Sequence, residues 1–219
     1  MVTFDLVKAD PEVAAFIARS DRSMEAIGFT RHGLRHVGHV AKAARKLLGE
    51  LGHDERTCEL AAIAGHLHDI GNTVNRINHA ENGALLANTI LGRLGMDPTE
   101  KAEIVAAIGN HHEEDGSAVS AIGSALILAD KSDVHRGRVR TAETLKMDIH
   151  DRVNFAVKKS WLVVTREDKT ITLDLTIDTT ISSVMEYFEI FMSRMLISRK
   201  AADFLGCRFA LILNGTKMV

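Results

Sequence analysis

The sequence predicts a mainly helical protein, with a bundle of helices over residues 1–150 and a small β-β-α-β unit over residues 151–219. Three observations carry that reading. Helix starts and stops recur at short intervals up to about residue 130. The stretch Thr170-Ile-Thr-Leu-Asp-Leu-Thr-Ile-Asp178 then alternates polar and apolar without fault, the mark of a half-buried strand. Most of the 11 histidines fall between His32 and His112, inside the helical part.

Taken in order, Asp10-Pro11 reads as a cap followed by proline at the first helical position, opening a helix to about Arg22. A second helix is expected from near Thr30 to Leu51, stopped by Gly52, with His32 and His36 four apart on one face. Asp54 caps a third, whose apolar body around Leu60 and Ile63 leads into His68-Asp69. Gly71 is expected to leave that helix through positive φ. A loop over Asn72–Ile77 follows, then a helix from about Asn78 to Arg93. Asp97-Pro98-Thr99-Glu100 is a cap, a proline and an acid three residues after the cap, and the helix it opens ends at His111-His112. A turn through Gly116 precedes an apolar helix from Ala118 to Ala129, ending at Asp130.

Beyond residue 150, Val153 to Thr165 has the β-branched and aromatic character of a strand, and Arg166–Lys169 makes a hairpin turn to Thr170–Asp178. Ile181, Val184, Met185, Phe188, Met192 and Met195 then recur at helical spacing, Gly206 closes the helix, and Phe209, Leu211 and Leu213 alternate as a last strand. The Met and Phe stripe reads as core or dimer contact. A small sheet with one helix leaves one face and its edges open, so this unit is expected to mediate a homodimer.

Composition excludes several classes of function. A net charge of −2, from 27 basic and 29 acidic residues, rules out a basic nucleic-acid coat or a polybasic membrane anchor. No apolar run reaches the length of a membrane span, and the N-terminus lacks the pattern of a signal peptide. Cys58 and Cys207 are far apart and read as buried thiols of a cytoplasmic protein.

The chemistry lies in the ordered polar set. His36, His68, Asp69, His79, His111, His112 and Asp130 are seven N/O donors, the set expected for two divalent metals sharing one carboxylate. Taken singly each has an ordinary explanation, such as a satisfied core histidine or a basic helix end. Together they point to metal-activated water attacking an electrophile, with Asp69 and His68 at the catalytic centre. Phosphate-facing charge is expected from Lys131 and from Arg136, Arg138 and Arg140 directly after the last donor.

The residues 30–140 that carry this set resemble the HD-domain metal-dependent phosphohydrolases, in their two-metal branch. The motif His68-Asp69-Ile70-Gly71 is similar to the one that defines the family. The resemblance implies that His36, His68, Asp69 and Asp130 hold one ion. Asp69 would bridge to a second, held by His79, His111 and His112. Iron or manganese is expected first, with zinc, magnesium, nickel or cobalt as alternatives. The implied activity is hydrolysis of a phosphoester in a nucleotide or oligonucleotide. A diiron oxygenase and a non-catalytic nucleotide-sensing or assembly module are the alternatives. The sequence departs from the family pattern at Asn72, where a lysine is common; the amide can still donate to substrate. It also lacks the Gly-Tyr-Pro segment of the cyclic-di-GMP branch, which points away from that substrate.

Overall fold

Helices lead and a sheet closes the chain, as the sequence predicts. The computed structural model describes residues 1–140 and 148–219. Among them the order is α1 (Phe4–Ala9), α2 (Pro11–Ala26), α3 (Leu34–Leu51), α4 (Glu55–Leu67), α5 (His79–Arg93), α6 (Pro98–Gly109) and α7 (Ala121–Ser132). Then follow α8 (Ile149–Ala156), β1 (Val157–Thr165), β2 (Thr170–Ile177), α9 (Val184–Phe204), β3 (Arg208–Leu213) and β4 (Thr216–Lys217). None of the helices described is long and apolar enough to cross a membrane.

The caps act where the sequence places them. Asp10, Asp54 and Asp97 each accept from backbone N–H groups of the first turn, satisfying donors that a helix start leaves open. Helix α1 escapes the sequence reading; Thr3 caps it by accepting from the N–H of Leu6. Helix α3 starts four residues later than expected because its approach is tied elsewhere. The N–H of Arg31 donates to the carbonyl of Arg138, and that of His32 to Asp21. Helix α7 is capped by Ser120, so it begins at Ala121 and runs past Asp130 to Ser132.

The first expected strand is corrected in part. Residues 149–156 form α8, whose start is capped by Asp148. The cap and the burial of Val153 and Ala156 override the β-propensity of the segment, and β1 begins only at Val157. The sheet order is β1-β2-β3-β4. Strands β1 and β2 form the expected hairpin, and β2 pairs parallel to β3 across the α9 connection. Strand β4 adds a short antiparallel pair that the sequence does not announce.

One hydrophobic core runs through both halves, from Val7 and Ile63 to Leu173 and Phe209. Helix α3 lies against α4 and α7, β1 packs on α3 and α7, and α9 packs on α7. The α3–α4 approach is close: a Cβ on Gly65 would stand 2.9 Å from the backbone of Ala41. This packing brings one face of α3, the end of α4 and one face of α7 together, each carrying polar side chains.

Candidate metal centre

Five segments deliver the donors. His36 comes from the first half of α3, His68 and Asp69 from the end of α4, His79 from the first residue of α5, and Asp130 from the last turn of α7. His111 and His112 follow α6 directly. All but His112 are buried, and His112 stands at the edge of the cluster with a side chain 18% exposed.

The geometry is convergent. Oδ2 of Asp69 lies 3.4 Å from Nε2 of both His36 and His68, and its Oδ1 lies 3.8 Å from Nε2 of His79. Oδ1 of Asp130 is 3.4 Å from Nε2 of His36 and 3.6 Å from that of His68. Rings of neighbouring histidines are in edge contact: His68 with His111 at 5.0 Å between centroids, and His79 with His111 and His112 at 5.1 and 4.8 Å. Two groups of donors lie within 4.8 Å of one another, His36–His68–Asp130 and His68–Asp69–His111.

The outward ring nitrogens fix this arrangement. Nδ1 of His68, His79 and His111 each meets the carbonyl three residues earlier, that of Gly65, Arg76 and Ile108, at 2.9, 3.0 and 2.6 Å. Nδ1 of His36 meets Asp133 at 2.8 Å, and that of His112 meets Asp115 at 3.2 Å. A carbonyl can only accept, so Nδ1 carries the proton in the first three and Nε2 presents a lone pair to the centre. Partners of this kind on the outer nitrogen are what orient metal-binding histidines.

The residues fit a cation. Nε2 of His36 and of His68 is buried without a hydrogen-bond partner among the described residues, a cost that a metal removes. The 3.4–3.6 Å gaps to the carboxylates exceed a charge-assisted hydrogen bond. Donors at this separation could share one ion at bonds of about 2.1 Å.

Electrostatics agree. Burial lowers the affinity of His68 for a proton, but Asp69 and Asp130 outweigh it and push its pKa up to about 10. The carboxylates thus demand positive charge at this point, a proton on Nε2 of His68 or a metal ion that would displace it and use its lone pair. Burial and neighbouring positive charge hold His111 well below the usual histidine range, and burial leads in bringing His79 down to about 4. Both are therefore neutral and ready to ligate at ordinary pH.

Beside the donors opens a cavity of about 560 Å³, whose lining includes His32, Arg76, His112, Glu113, Arg138 and Arg194. The sequence-predicted phosphate contacts divide. Arg138 lines the cavity, with its guanidinium donating to the carbonyls of Asp133 and Arg31. Arg140 is held by Asp21 and by the carbonyls of Phe29 and Thr30, and Arg136 lies over the ring of Phe155, 5.2 Å from its centre. Lys131 is buried between Glu113 at 2.5 Å and Asp130 at 2.7 Å. Asn72 faces inward, its amide donating to the carbonyl and to Oδ1 of Asp69 at 3.0 and 3.1 Å.

Sequence reasoning missed Asp133, Arg76 and Arg194. Asp133 lies one turn beyond Asp130, a spacing that could have exposed it. Arg76 approaches Nε2 of His79 at 3.3 Å, and Arg194 approaches Glu113 at 3.4 Å from the distant α9. The first contact spans only three residues, whereas only the tertiary packing reveals the second.

Residues 33–155 match the family model described as the HD domain. The chain is 38% identical to ribonuclease Y of Lawsonia intracellularis over 112 residues, 50% of this chain and 19% of that protein. It thus spans about a fifth of the length of that relative. An uncharacterised protein of Methanocaldococcus jannaschii is 30% identical over 174 residues, covering 68% of this chain and 66% of its own. Among solved structures, a predicted HD superfamily hydrolase from an uncultured Thermotogales bacterium aligns with 62% of this chain and 75% of its own, at 26% identity and a TM-score of 0.46.

Proposed function

Since the chain belongs to the HD domain family, we propose that it is a metal-dependent phosphohydrolase acting on a nucleotide or oligonucleotide phosphoester through two divalent ions, iron or manganese in the first place. The observation that carries this reading is the convergence of Nε2 lone pairs and carboxylate oxygens on Asp69, beside a cavity that holds arginine. We assign His36, His68, Asp69 and Asp130 to one ion, and Asp69, His79, His111 and His112 to the other. Asp69 suits a bridging role because its two oxygens face different histidines. Bound ions would lower the pKa of water and offset the charge that develops on the phosphoryl oxygens.

The side chains set up the rest. The buried histidines hold their lone pairs on fixed axes, so no reorganisation is needed as charge develops. Asn72 holds Asp69 in register. Arg76 and Arg138 border the cavity where a phosphoryl group would reach His112, and a guanidinium donates to phosphate oxygens in pairs. In the reaction, the oxygen of water bonds to phosphorus, the bond from phosphorus to the leaving oxygen breaks, and the released alcohol takes up a proton. Lys131, Arg136 and Arg140 support the walls in this scheme, through the contacts described above.

The test is elemental analysis of the purified chain together with turnover of bis(p-nitrophenyl) phosphate and of nucleotides, with manganese or iron(II) supplied. Two ions per chain and metal-dependent release of alcohol are expected. A chain that loads metal yet hydrolyses none of these substrates would refute the assignment. We also propose that the protein is a homodimer, because Trp161 and Val163 stand 60% and 46% exposed on one face of the sheet. Light scattering at micromolar concentration checks this, and a monomeric mass overturns it.

A further inference from the structure

We infer that the cavity admits a compact ester with one phosphoryl group on a body bearing hydroxyl or amine groups, of mononucleotide size, and rejects a continuing nucleic-acid chain. The inference rests on the phosphohydrolase reading above and narrows its substrate.

The first argument is size. About 560 Å³ lies within the range of small-molecule sites, roughly 300–1,000 Å³. The walls come from separate parts of the chain and partly enclose the space. Residues 27–30, His32 and residues 76–78 form one side; His112 and Glu113 lie at the donor end, with the exposed Glu114 and Asp115 outside them. On the other side stand α8, with His150 and Asn154, and α9, with Ile190, Phe191, Ser193 and Arg194. The C-terminal unit therefore builds part of the cavity.

The second argument is charge. Three arginines and five carboxylates are among the described lining residues. Of the arginines, Arg138 is buried against carbonyl groups, and Arg194 lies over the ring of Phe191 with Nε on Glu113. Arg76 borders the donor end, beside His79. Among the carboxylates, Glu113 is neutralised by Lys131 and Arg194. Glu114 is exposed, and the side chains of Asp115 and Asp148 are 54% and 42% exposed. Asp151 is buried, so the exposed negative charge is that of Glu114, Asp115 and Asp148, on the solvent side of the three arginines.

A nucleic-acid strand carries one charge per about 3.4 Å and is held by rows of lysine and arginine. Leaving this cavity, it would pass the exposed carboxylates of the lining, and such charges repel over a screening length of about 8 Å at physiological salt. A single phosphoryl group at the inner end avoids that repulsion. The same carboxylates, with Asn154, accept hydrogen bonds from ribose hydroxyls or amino groups. Ile27, Phe29, Ile77 and Ile190 supply an apolar wall for a flat ring.

The experiment compares the metal-loaded full chain on AMP, 3′,5′-cyclic AMP and a ten-nucleotide single-stranded RNA at 0.15 M salt. Either mononucleotide should exceed the RNA in kcat/KM by about 100-fold, and the double variant Glu114→Lys, Asp148→Lys should gain about tenfold on RNA, a gain abolished at 1 M salt. RNA cleaved as well as the mononucleotides, or no gain in the double variant, overturns the inference. If bis(p-nitrophenyl) phosphate is not hydrolysed either, the phosphohydrolase reading has failed. Equilibrium binding of AMP and of the RNA then decides this inference separately: AMP bound in preference supports it, and RNA bound equally or better overturns it.

Discussion

Asp133 holds Nδ1 of His36 at 2.8 Å with the same carboxylate oxygen that meets Arg35 at 2.8 Å. The carboxylate is buried, and although burial opposes ionisation, His36 and Arg138 keep its pKa well below the usual range. It therefore stays ionised and fixes the ring of His36, as partners on the outer nitrogen of metal-binding histidines do. Asp133→Asn should lower metal affinity by about 10–100-fold while leaving the helical content unchanged. Competition with a chelator measures the first and circular dichroism the second; an unchanged affinity would remove Asp133 from the site.

The two oxygens of Asp69 make a sharper claim about the number of ions. Because Oδ2 faces His36 and His68 while Oδ1 faces His79, Asp69→Ala should strip both metals and end turnover. His79→Ala should remove one and keep the other, which His36, His68 and Asp130 still surround. Mass spectrometry of bound metal on the two variants reads this directly. Equal metal content in both variants would contradict the bridging role.

Much of this site was legible in the chain because burying histidine beside aspartate needs a compensating partner, and ordered spacing along helices is visible in one dimension. The caps Asp10, Asp54 and Asp97 were legible for the same reason: they act within three residues. Contacts made across the fold were not. Nothing near Arg194 in sequence announces Glu113, and nothing near Val153 announces the packing that turns it into a helix. Gly71 shows the difference. The expectation of positive φ there was wrong, since positive φ among glycines occurs at Gly28, Gly52, Gly95, Gly206 and Gly215. Its reason is proximity: a Cβ at Gly71 would lie 1.9 Å from the carbonyl oxygen of His79 and 2.4 Å from the nitrogen of Gly83.

That proximity brings the start of α5 against the His68-Asp69 turn. Both intruding atoms belong to backbone, so they cannot swing away, and Gly71→Ala must push α5 outward. The cost should reach at least the 1–3 kcal/mol or so of core overpacking. Metal should be lost preferentially from the His79 side. Thermal unfolding and metal content measure the two effects; a variant with wild-type values of both would mean that the approach of α5 is not fixed by this contact.

The last prediction concerns acid stability at the start of α9. Glu186 completes a capping box with Ser183. Hydrogen bonds from Arg152, then from the N–H of Ser183 and the hydroxyl of Ser182, hold its pKa at about 2, below the ordinary 4.5. The folded state therefore binds this proton less readily than the unfolded chain does. For a group depressed in this way, the stabilisation is complete above the unfolded value and disappears as pH falls from about 4.5 through about 2. Glu186→Gln should lower stability at neutral pH and flatten the fall between those limits, because the amide has no proton to gain. Arg152 lies in α8, so the loss should loosen α8 against α9 at the cavity wall. Denaturant unfolding at pH 7, 4 and 3 measures the difference between the two proteins. A gap that stays constant across these pH values would show that ionisation of Glu186 does not stabilise the fold.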